Sequence, residues 1–436
     1  MAGKIIIVGA NQCALAFAYM AAKKGFDVVA YEKEKKEDVA FPWTDDVATN
    51  AFDEAGLPLP PEEIRWRTNS PTFVIPNKTV IPIELPEENL DYSVLRRPMN
   101  DWLEKMALEA GAKVVYEKAI DHAITLGDKV IGVVFTDGEV ETSDLVVDCG
   151  GMNSCVRSSL PDCFGILKTV DPEDYFFVKR VFFDRPENAP DPEYIWKIYL
   201  KHLGERGISW CHLSHDKKYG DVLIGRTGGL SEETYQRALD DIRSENPIVG
   251  ETFIPETNIL CKIPVRHTLS KIFSDGYVLL GDSACMTIPL IGSGIASGFK
   301  AARNLAETLE TADGDPFSAK NLYRYQYRYM RETGAFHAIV DMLKNALLDT
   351  DAEIINIIAN PETVASVMKA VAGQTGDFVK AVIGLAKDEP KIFAGILSRA
   401  AAAGKAGAVT LTIPKEYDEK KFAAWRKKYE KATNER

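Results

Sequence analysis

The chain of 436 residues has no long hydrophobic run, only six histidines and no paired cysteine motif. No apolar stretch approaches the ~18–20 residues that a membrane-spanning helix needs. Its seven cysteines are odd in number and scattered, so the sequence indicates neither a disulfide framework nor a zinc site. The start of the chain leads directly into a strand and a glycine-rich turn, unlike a signal peptide. We therefore expect a reduced, cytoplasmic protein.

Basic residues are also scarce, with 52 Lys and Arg against 64 Asp and Glu, which gives a net charge of −12. This balance argues against an extended nucleic-acid-binding surface. Hydrophobic residues make up 46% and charged residues 27%, as in ordinary globular proteins. At roughly 100–200 residues per domain, the length suggests two to four domains.

The first thirty residues have the order strand, turn, helix, strand and acid. Ile5–Val8 is a β-branched run of the kind found in buried parallel strands, and Gly9 follows it. The helix after this turn ends near Gly25, and the second strand, Val28–Tyr31, leads into Glu32. This is the layout of a dinucleotide-binding βαβ unit, in which the acid accepts hydrogen bonds from a ribose.

The glycine fingerprint of this unit is incomplete. The three expected positions are occupied by Gly9, Asn11 and Ala14, and asparagine stands where a glycine normally lets a phosphate approach the backbone. Asparagine tolerates left-handed backbone geometry better than most residues, so we expect the turn to survive. The segment does not distinguish FAD from NAD, and a βαβ unit that binds nothing remains an alternative.

A second glycine-rich segment lies far along the chain, between residues 274 and 309. The strand Tyr277–Leu280 runs into Gly281 and Asp282, and a helix of small residues begins near Gly294. An aspartate at a strand end accepts hydrogen bonds from ribose or ribityl hydroxyls. A glycine-rich loop that opens a helix presents N–H groups to a phosphate or a ring edge.

The pattern G-D-S-A-x(4)-P-x(2)-G-x-G-I carries a family resemblance. It is formed by Gly281, Asp282, Pro289, Gly292, Gly294 and Ile295 with the residues between them. It resembles the flavin-contacting signature of para-hydroxybenzoate hydroxylase-like flavoproteins, and within them most closely that of the geranylgeranyl reductase family. The resemblance implies FAD as the cofactor.

Two further segments are similar to that family. Residues 92–103 resemble the start of its Y-x-V-x-R-x-x-F-D-x-W-L helix, and the resemblance places Arg96 near the flavin. Residues 144–157 resemble its apolar strand followed by D-G-x-x-S-x-V-R, with Ser154 and Arg157 retained. Gly150 stands at the position of the family's aspartate, so one polar contact of that pattern is missing.

The resemblance implies an α/β fold, with a Rossmann-like FAD-binding domain interleaved with an antiparallel-sheet substrate domain and followed by a helical C-terminal region. We expect the FAD-binding domain in 1–40, 90–160 and 260–310, the substrate domain in 41–89 and 161–259, and the helical region in 311–436. The alternating aromatic runs after Tyr175 are typical of antiparallel strands. The last stretch, 415–436, mixes both charges and is interpreted as a solvated helix or a frayed tail.

The resemblance implies an enzyme that uses reduced flavin to saturate carbon–carbon double bonds of an isoprenoid or another apolar substrate. A flavin-dependent monooxygenase or halogenase is the alternative, and a degenerate, non-catalytic flavin-fold binding protein is the second. Trp210 stands where the family has a pocket residue, and it is either a pocket wall or core. Cys285 lies in the glycine-rich loop and is a candidate redox thiol or simply a small buried residue.

Partners of such an enzyme follow from its chemistry. A ferredoxin, a quinone or a transiently bound nicotinamide is expected as the electron donor, because we find no separate nicotinamide motif. A lipid substrate would bring peripheral membrane contact with it, although no clear anchor is present.

Overall fold

The structure is a computed structural model that describes residues 3–358 and 390–435. In chain order the strands are β1 Lys4–Val8, β2 Asp27–Tyr31, β3 Thr44–Val47, β4 Arg65–Arg67, β5 Thr72–Val74, β6 Val80–Pro82, β7 Tyr92–Leu95, β8 Lys113–Val115, β9 Ile120–Leu126, β10 Lys129–Phe135, β11 Val140–Thr142, β12 Leu145–Asp148, β13 Tyr175–Asp184, β14 Trp196–Leu200, β15 Gly207–Leu213, β16 Tyr219–Thr227, β17 Ile259–Pro264, β18 Phe273–Ser274 and β19 Tyr277–Leu279. The helices are α1 Gln12–Lys23, α2 Ala51–Glu54, α3 Arg96–Glu109, α4 Cys155–Ser159, α5 Glu232–Glu245, α6 Ile295–Glu310, α7 Ala319–Tyr329, α8 Ala335–Asp349, α9 Ala352–Ile358, α10 Pro390–Leu411 and α11 Glu419–Thr433.

A six-stranded sheet in the order β18-β19-β12-β1-β2-β8 is parallel except for the short edge strand β18. Ile5, Ile6 and Ile7 of its central strand are fully buried, which is why that strand is a continuous apolar run. Helix α1 packs against both α3 and α6. The continuous apolar run in the sequence therefore predicted this half of the fold correctly, because its central strand is buried on both faces.

A seven-stranded sheet in the order β17-β13-β16-β15-β14-β5-β6 forms the second half. Its neighbouring strands are antiparallel apart from the pair β14–β5. The fold class predicted from the sequence is confirmed, with a parallel sheet, a largely antiparallel sheet and helices at the C-terminal end.

The two faces of the seven-stranded sheet have different neighbours. Side chains directly opposite each other on paired antiparallel strands share a face, so Arg180, Leu223 and Trp210 lie on one side. We call this side the inner face. The other side is covered by α5, whose Tyr235 and Leu239 join its apolar cluster.

Two three-stranded sheets, β11-β10-β9 and β3-β7-β4, complete the strands of the described residues. The second sheet joins β3 and β4 of the predicted substrate domain to β7 of the predicted FAD-binding domain. Strand β17, at the boundary predicted near residue 260, pairs with β13 of the seven-stranded sheet. The division into domains remains a prediction that these pairings refine.

Beyond residue 311 the described residues are helical, and the part of that region in 359–389 lies outside them. A five-residue π-helix, Met330–Gly334, joins α7 to α8, and α10 packs on α8. None of the helices described is both long and apolar enough to cross a bilayer.

The interpretation of 415–436 as a solvated helix or a frayed tail is right about the helix, α11, but one side of that helix is buried. Phe422, Trp425 and Tyr429 form one stripe of α11, and each is at most 4% exposed. These three rings stack in sequence with centroids 5.6 and 5.1 Å apart. The stripe keeps a helical spacing of three and four residues, but the many lysines around it mask that pattern.

Candidate active site

Four parallel strands bring the two glycine-rich segments to one edge of the six-stranded sheet. Val8, at the end of β1, is opposite both Tyr31 of β2 and Asp148 of β12, and Asp148 is opposite Leu279 of β19. The residues that follow these strands therefore meet at the same carboxyl edge, where open α/β sheets bind their ligands.

Gly9 makes the turn after β1 with φ of +92°, a conformation that side chains disfavour. A Cβ atom there would lie 3.1 Å from the carbonyl oxygen of Cys149. Its N–H donates to the carbonyl oxygen of Tyr31 at 2.7 Å. Only glycine fits both the conformation and the close approach of β12.

The turn after β1 survives with asparagine at its second position, but without left-handed geometry at Asn11. Asn11 has φ of −79° and ψ of 176°, and it is the N-cap of α1. Its Oδ1 accepts from the N–H of Ala14 at 3.2 Å, and its Nδ2 donates to the carbonyl oxygen of Cys149 at 2.8 Å. Asparagine is a favoured N-cap residue, and this cap determines its conformation here.

Donors remain available at the start of α1. The N–H groups of Gln12 and Cys13 make no hydrogen bond to a described residue, as is usual for a first helical turn. The Nε2 atom of Gln12 is buried without a partner in the described parts of the chain. A phosphate is the kind of group that would satisfy these donors, so the residues fit the pyrophosphate of a dinucleotide.

Glu32 lies at the end of β2 beside this turn. Its carboxylate accepts from the N–H of Ala10 at 2.9 Å and from the N–H of Glu34 at 3.0 Å. It thus ties the turn after β1 to the end of β2. Its predicted hydrogen bonds to a ribose stay a prediction, since each carboxylate oxygen can accept a second bond.

The turn after β19 is hydrogen-bonded to the buried side chain of Arg157. Gly281–Ala284 is a short 3₁₀ helix, and the fully buried Arg157 donates to the carbonyl oxygens of Ser283 and Met152. Cys285 follows the turn and is completely buried. Burial raises the pKa of the Cys285 thiol to about 12, so it stays protonated at neutral pH. This environment argues against Cys285 as a redox or nucleophilic thiol.

The glycine-rich loop of Pro289, Gly292 and Gly294 connects this turn to α6. Gly292 has φ of +69°, and a Cβ atom there would lie 3.1 Å from Cγ2 of Ile263 on the inner face. Gly294 precedes Ile295, the first residue of α6, and no side chain of the described residues caps that helix. The loop therefore brings an uncapped helix start to the inner face.

Asp282 and Arg96 are two opposite charges near this loop. A Cβ atom on Gly294 would lie 3.3 Å from Oδ1 of Asp282, and the carboxylate accepts no hydrogen bond from residues 3–358 or 390–435. Burial raises the pKa of Asp282, and the guanidinium of Arg96 lowers it. Arg96 itself is paired with Asp45, with NH2 and Oδ1 2.6 Å apart. The sequence did not indicate Asp45.

A buried carboxylate, that of Asp148, lies two residues before Gly150. Asp148 is fully buried and accepts from the N–H of Gly150 at 2.9 Å and from the hydroxyl of Tyr277 at 2.6 Å. A Cβ atom on Gly150 would lie 3.1 Å from Oδ1 of Asp148. Ser154 caps α4 and also donates to Asp148. This cluster is structural, because it is satisfied internally.

Trp210 lies on the inner face, as does Cys261 at its β17 edge, and both side chains are partly exposed. Both pack against an apolar cluster whose buried members are Phe176, Val178, Leu223, Val265 and Leu348. Burial raises the pKa of the Cys261 thiol to about 11, and the charge of Arg96 acts against this rise. Sequence reasoning missed it, since no motif surrounds it.

Comparison with known proteins gives relatives over most of the chain. A protein-family model described as squalene epoxidase matches residues 262–355. The chain is 23% identical to a digeranylgeranylglycerophospholipid reductase of Sulfolobus acidocaldarius, over 81% of this chain and 79% of the relative. It is 24% identical to digeranylgeranylglycerophospholipid reductase 2 of Methanopyrus kandleri, over 85% and 93% respectively. A probable electron transfer flavoprotein-quinone oxidoreductase of Escherichia coli is 26% identical over 60% of this chain and 65% of that protein.

Solved structures share the fold. A geranylgeranyl bacteriochlorophyll reductase-like protein from Thermoplasma acidophilum has a TM-score of 0.74 at 17% identity, covering 91% of this chain and 99% of that chain. CtdE in complex with FAD has a TM-score of 0.59 at 18% identity, covering 80% and 94%.

The fold is that of a class of proteins whose solved members include a geranylgeranyl bacteriochlorophyll reductase-like protein and CtdE in complex with FAD. Within that class, the chain is similar to digeranylgeranylglycerophospholipid reductases over most of its length. The resemblance to geranylgeranyl reductases drawn from the pattern Gly281 to Ile295 is confirmed.

Proposed function

We propose that the chain is a FAD-dependent oxidoreductase that reduces carbon–carbon double bonds of an isoprenoid or another apolar substrate. The observation that carries this proposal is the convergence of two helix starts, α1 and α6, at one sheet edge beside the apolar inner face. The relatives named as reductases support the reaction type and argue against a non-catalytic binding protein.

Residues at the carboxyl edge would hold the cofactor. The N–H groups of Gln12 and Cys13 would bind the pyrophosphate, and Glu32 would accept from the ribose. Asp282, whose carboxylate has no partner among the residues described, would accept from a ribityl hydroxyl. The uncapped first turn of α6, after Gly294, would face negative charge on the ring system.

When bound and reduced by its electron donor, FAD would supply the hydride that adds to one carbon of the double bond. The chain excludes water from that position, because the inner face presents an apolar cluster that includes Phe176, Val178 and Leu223. Trp210 would form one wall of the pocket for the hydrocarbon. The second hydrogen arrives as a proton from solvent or from a nearby acid.

An electron-transfer partner must reduce the cofactor again after each cycle. The relative named as a probable electron transfer flavoprotein-quinone oxidoreductase supports a protein or quinone donor over a nicotinamide. A ferredoxin would serve the same purpose. Titrating the oxidised enzyme with each donor class in its reduced form, and following the loss of flavin absorption, would distinguish them.

Oxygen chemistry is the second candidate function, and the match of residues 262–355 to a squalene epoxidase model favours it. That segment contains β19, the glycine-rich loop and α6, which bind the same cofactor in reductases and oxygenases under our proposal. Oxygen consumption that requires the substrate would favour this alternative.

The test starts from the purified protein. We expect stoichiometric FAD, identified after heat release, and reduction of geranylgeraniol by the dithionite-reduced protein without oxygen, with two hydrogens added per double bond. Asp282→Asn is the variant that should lose flavin, and Cys285→Ala is its matched control. A protein that takes up no FAD, or that leaves the double bonds intact, would contradict the proposal.

A further inference from the structure

Arg180 is a buried charge on the inner face that the chemistry above does not use. It lies on β13 and is 7% exposed. Its Nε and NH2 atoms bind both carboxylate oxygens of Asp221 on β16, at 2.9 and 2.5 Å. Its NH1 also donates to the backbone oxygen of Thr44 on β3 at 2.8 Å. One guanidinium thus joins the seven-stranded sheet to the small sheet beside the cofactor edge.

Aromatic rings surround the same guanidinium. Its central carbon is 5.4 Å from the ring centroid of Trp43, 5.4 Å from that of Phe182 and 5.5 Å from that of Trp210. A second guanidinium, that of Arg96, lies near the same tryptophan, with its central carbon 5.8 Å from the ring centroid of Trp43. Cations at such distances are attracted to the faces of aromatic rings.

These contacts connect the substrate side of the molecule to the cofactor side. Trp210 lies at the apolar cluster, Arg180 contacts it and Trp43, and Trp43 leads to Arg96 near Asp282. A buried ion pair stabilises a fold little more than apolar residues of the same size would. The guanidinium of Arg180, however, is planar with donors in fixed directions, so it restricts the orientation of the groups that it contacts.

We propose that Arg180 is a positioning residue that orients Trp210 in the wall of the substrate pocket and holds the inner face in register with the cofactor edge. The role of Trp210 as a pocket wall rests on the proposed function. The contact between Arg180 and Trp210 is observed independently of that function. Lysine at this position would retain the charge for Asp221 and lose the planar fork that contacts Thr44 and the rings.

The experiment compares Arg180→Gln and Arg180→Lys with a matched control, Arg226→Gln. Arg226 lies on β16, is 3% exposed and is paired with Glu205 at 2.8 Å, so its guanidinium is as buried as that of Arg180, although its carboxylate partner is more exposed than Asp221. Each variant is measured for melting temperature, for kcat and KM, and for the near-UV circular dichroism of Trp210. The last signal is obtained by subtracting the spectrum of the same protein with Trp210→Phe.

We expect Arg180→Gln and Arg226→Gln to lower the melting temperature to a similar extent. Of these two variants, Arg180→Gln alone should abolish the Trp210 signal and lower kcat, by about tenfold, because a displaced wall misplaces the substrate. Arg180→Lys should recover the melting temperature but neither the Trp210 signal nor kcat. It also keeps the test valid if the glutamine variant does not fold.

A Trp210 signal unchanged in Arg180→Lys, or full recovery of kcat by lysine, would overturn the proposal and leave Arg180 with a purely structural role. If the wild-type protein reduces no isoprenoid, the proposed function fails separately. The Trp210 signal, which needs no substrate, would still decide whether Arg180 orients that ring.

Discussion

Helices α1 and α6 both begin at the carboxyl edge of the six-stranded sheet, but their first turns are built differently. Asn11 caps α1 and takes up the N–H of Ala14. Gly294 precedes α6, which has no side-chain cap among the described residues, and the carboxylate of Asp282 lies beside it. The first donors of α6 are therefore left without a side-chain cap among the described residues, whereas α1 uses one of its donors for its own stability.

The two helices also touch each other, and this contact is very close. A Cβ atom on Gly298 of α6 would lie 2.0 Å from Sγ of Cys13 of α1. Glycine at this position allows the two helices to approach each other closely. Altering the contact, the acid or the cap should therefore have distinct effects on the two helices.

The largest effect is expected for Gly298→Ala, which should lower the free energy of unfolding by about 1–3 kcal/mol through overpacking. Chemical denaturation of the apoprotein measures this loss. Cys13→Ala should restore part of it in the double variant, since it removes the clashing sulfur. A double variant no more stable than Gly298→Ala alone would show that the helices do not press on each other here.

Asp282→Asn tests the start of α6 and should weaken FAD binding about tenfold, since an amide accepts hydroxyl protons less well than a carboxylate. Equilibrium dialysis with FAD measures the change. Glu32→Gln is the matched variant, because Glu32 is the acid beside the turn that precedes α1. Equal FAD affinity in Asp282→Asn and wild type would remove Asp282 from the cofactor site.

The same substitution should change the pH dependence of stability. Burial raises the pKa of Asp282, so the folded chain holds this proton more tightly than the unfolded chain does. Its contribution to stability is present at low pH and is lost as pH rises through the raised pKa. The Asp282→Asn apoprotein should therefore gain stability at neutral pH relative to wild type, and urea titrations should show this gain shrinking toward about pH 4.

Asn11→Gly tests the cap of α1 and should have a smaller effect on binding. It removes two hydrogen bonds and should cost about 1 kcal/mol of stability. It also frees the N–H of Ala14 for a phosphate, so FAD should bind a few times more tightly by calorimetry. Weaker FAD binding would instead identify the Asn11 amide as a ligand.

The smallest effect is expected for Cys285→Ala. The thiol is buried and protonated at neutral pH, so kcat should change by less than about twofold, and stability should fall by about 1 kcal/mol or less. Steady-state kinetics and thermal unfolding measure both. A large loss of kcat would restore Cys285 as a redox thiol.

Sequence reasoning performed differently in different parts of the molecule. The strand Ile5–Val8 and the helix start at Gly294 could be predicted, because they depend on neighbours only a few residues away. The state of Asn11 could not, since asparagine suits both a left-handed turn and an N-cap. Asp45, the partner of Arg96, is 51 residues distant in the chain, and no local pattern marks it.

The sequence by itself determined the βαβ unit, the second glycine-rich helix start and the alternating strands of the second sheet. Short-range rules of backbone geometry and hydrophobic spacing specify these elements. Only the tertiary structure decided that Trp210 lies on the inner face and that Arg180 contacts it. It also decided that the stripe of α11 is buried. Such contacts are determined by strand register and helix packing. Both depend on residues that are far apart in the sequence and meet only in the folded chain.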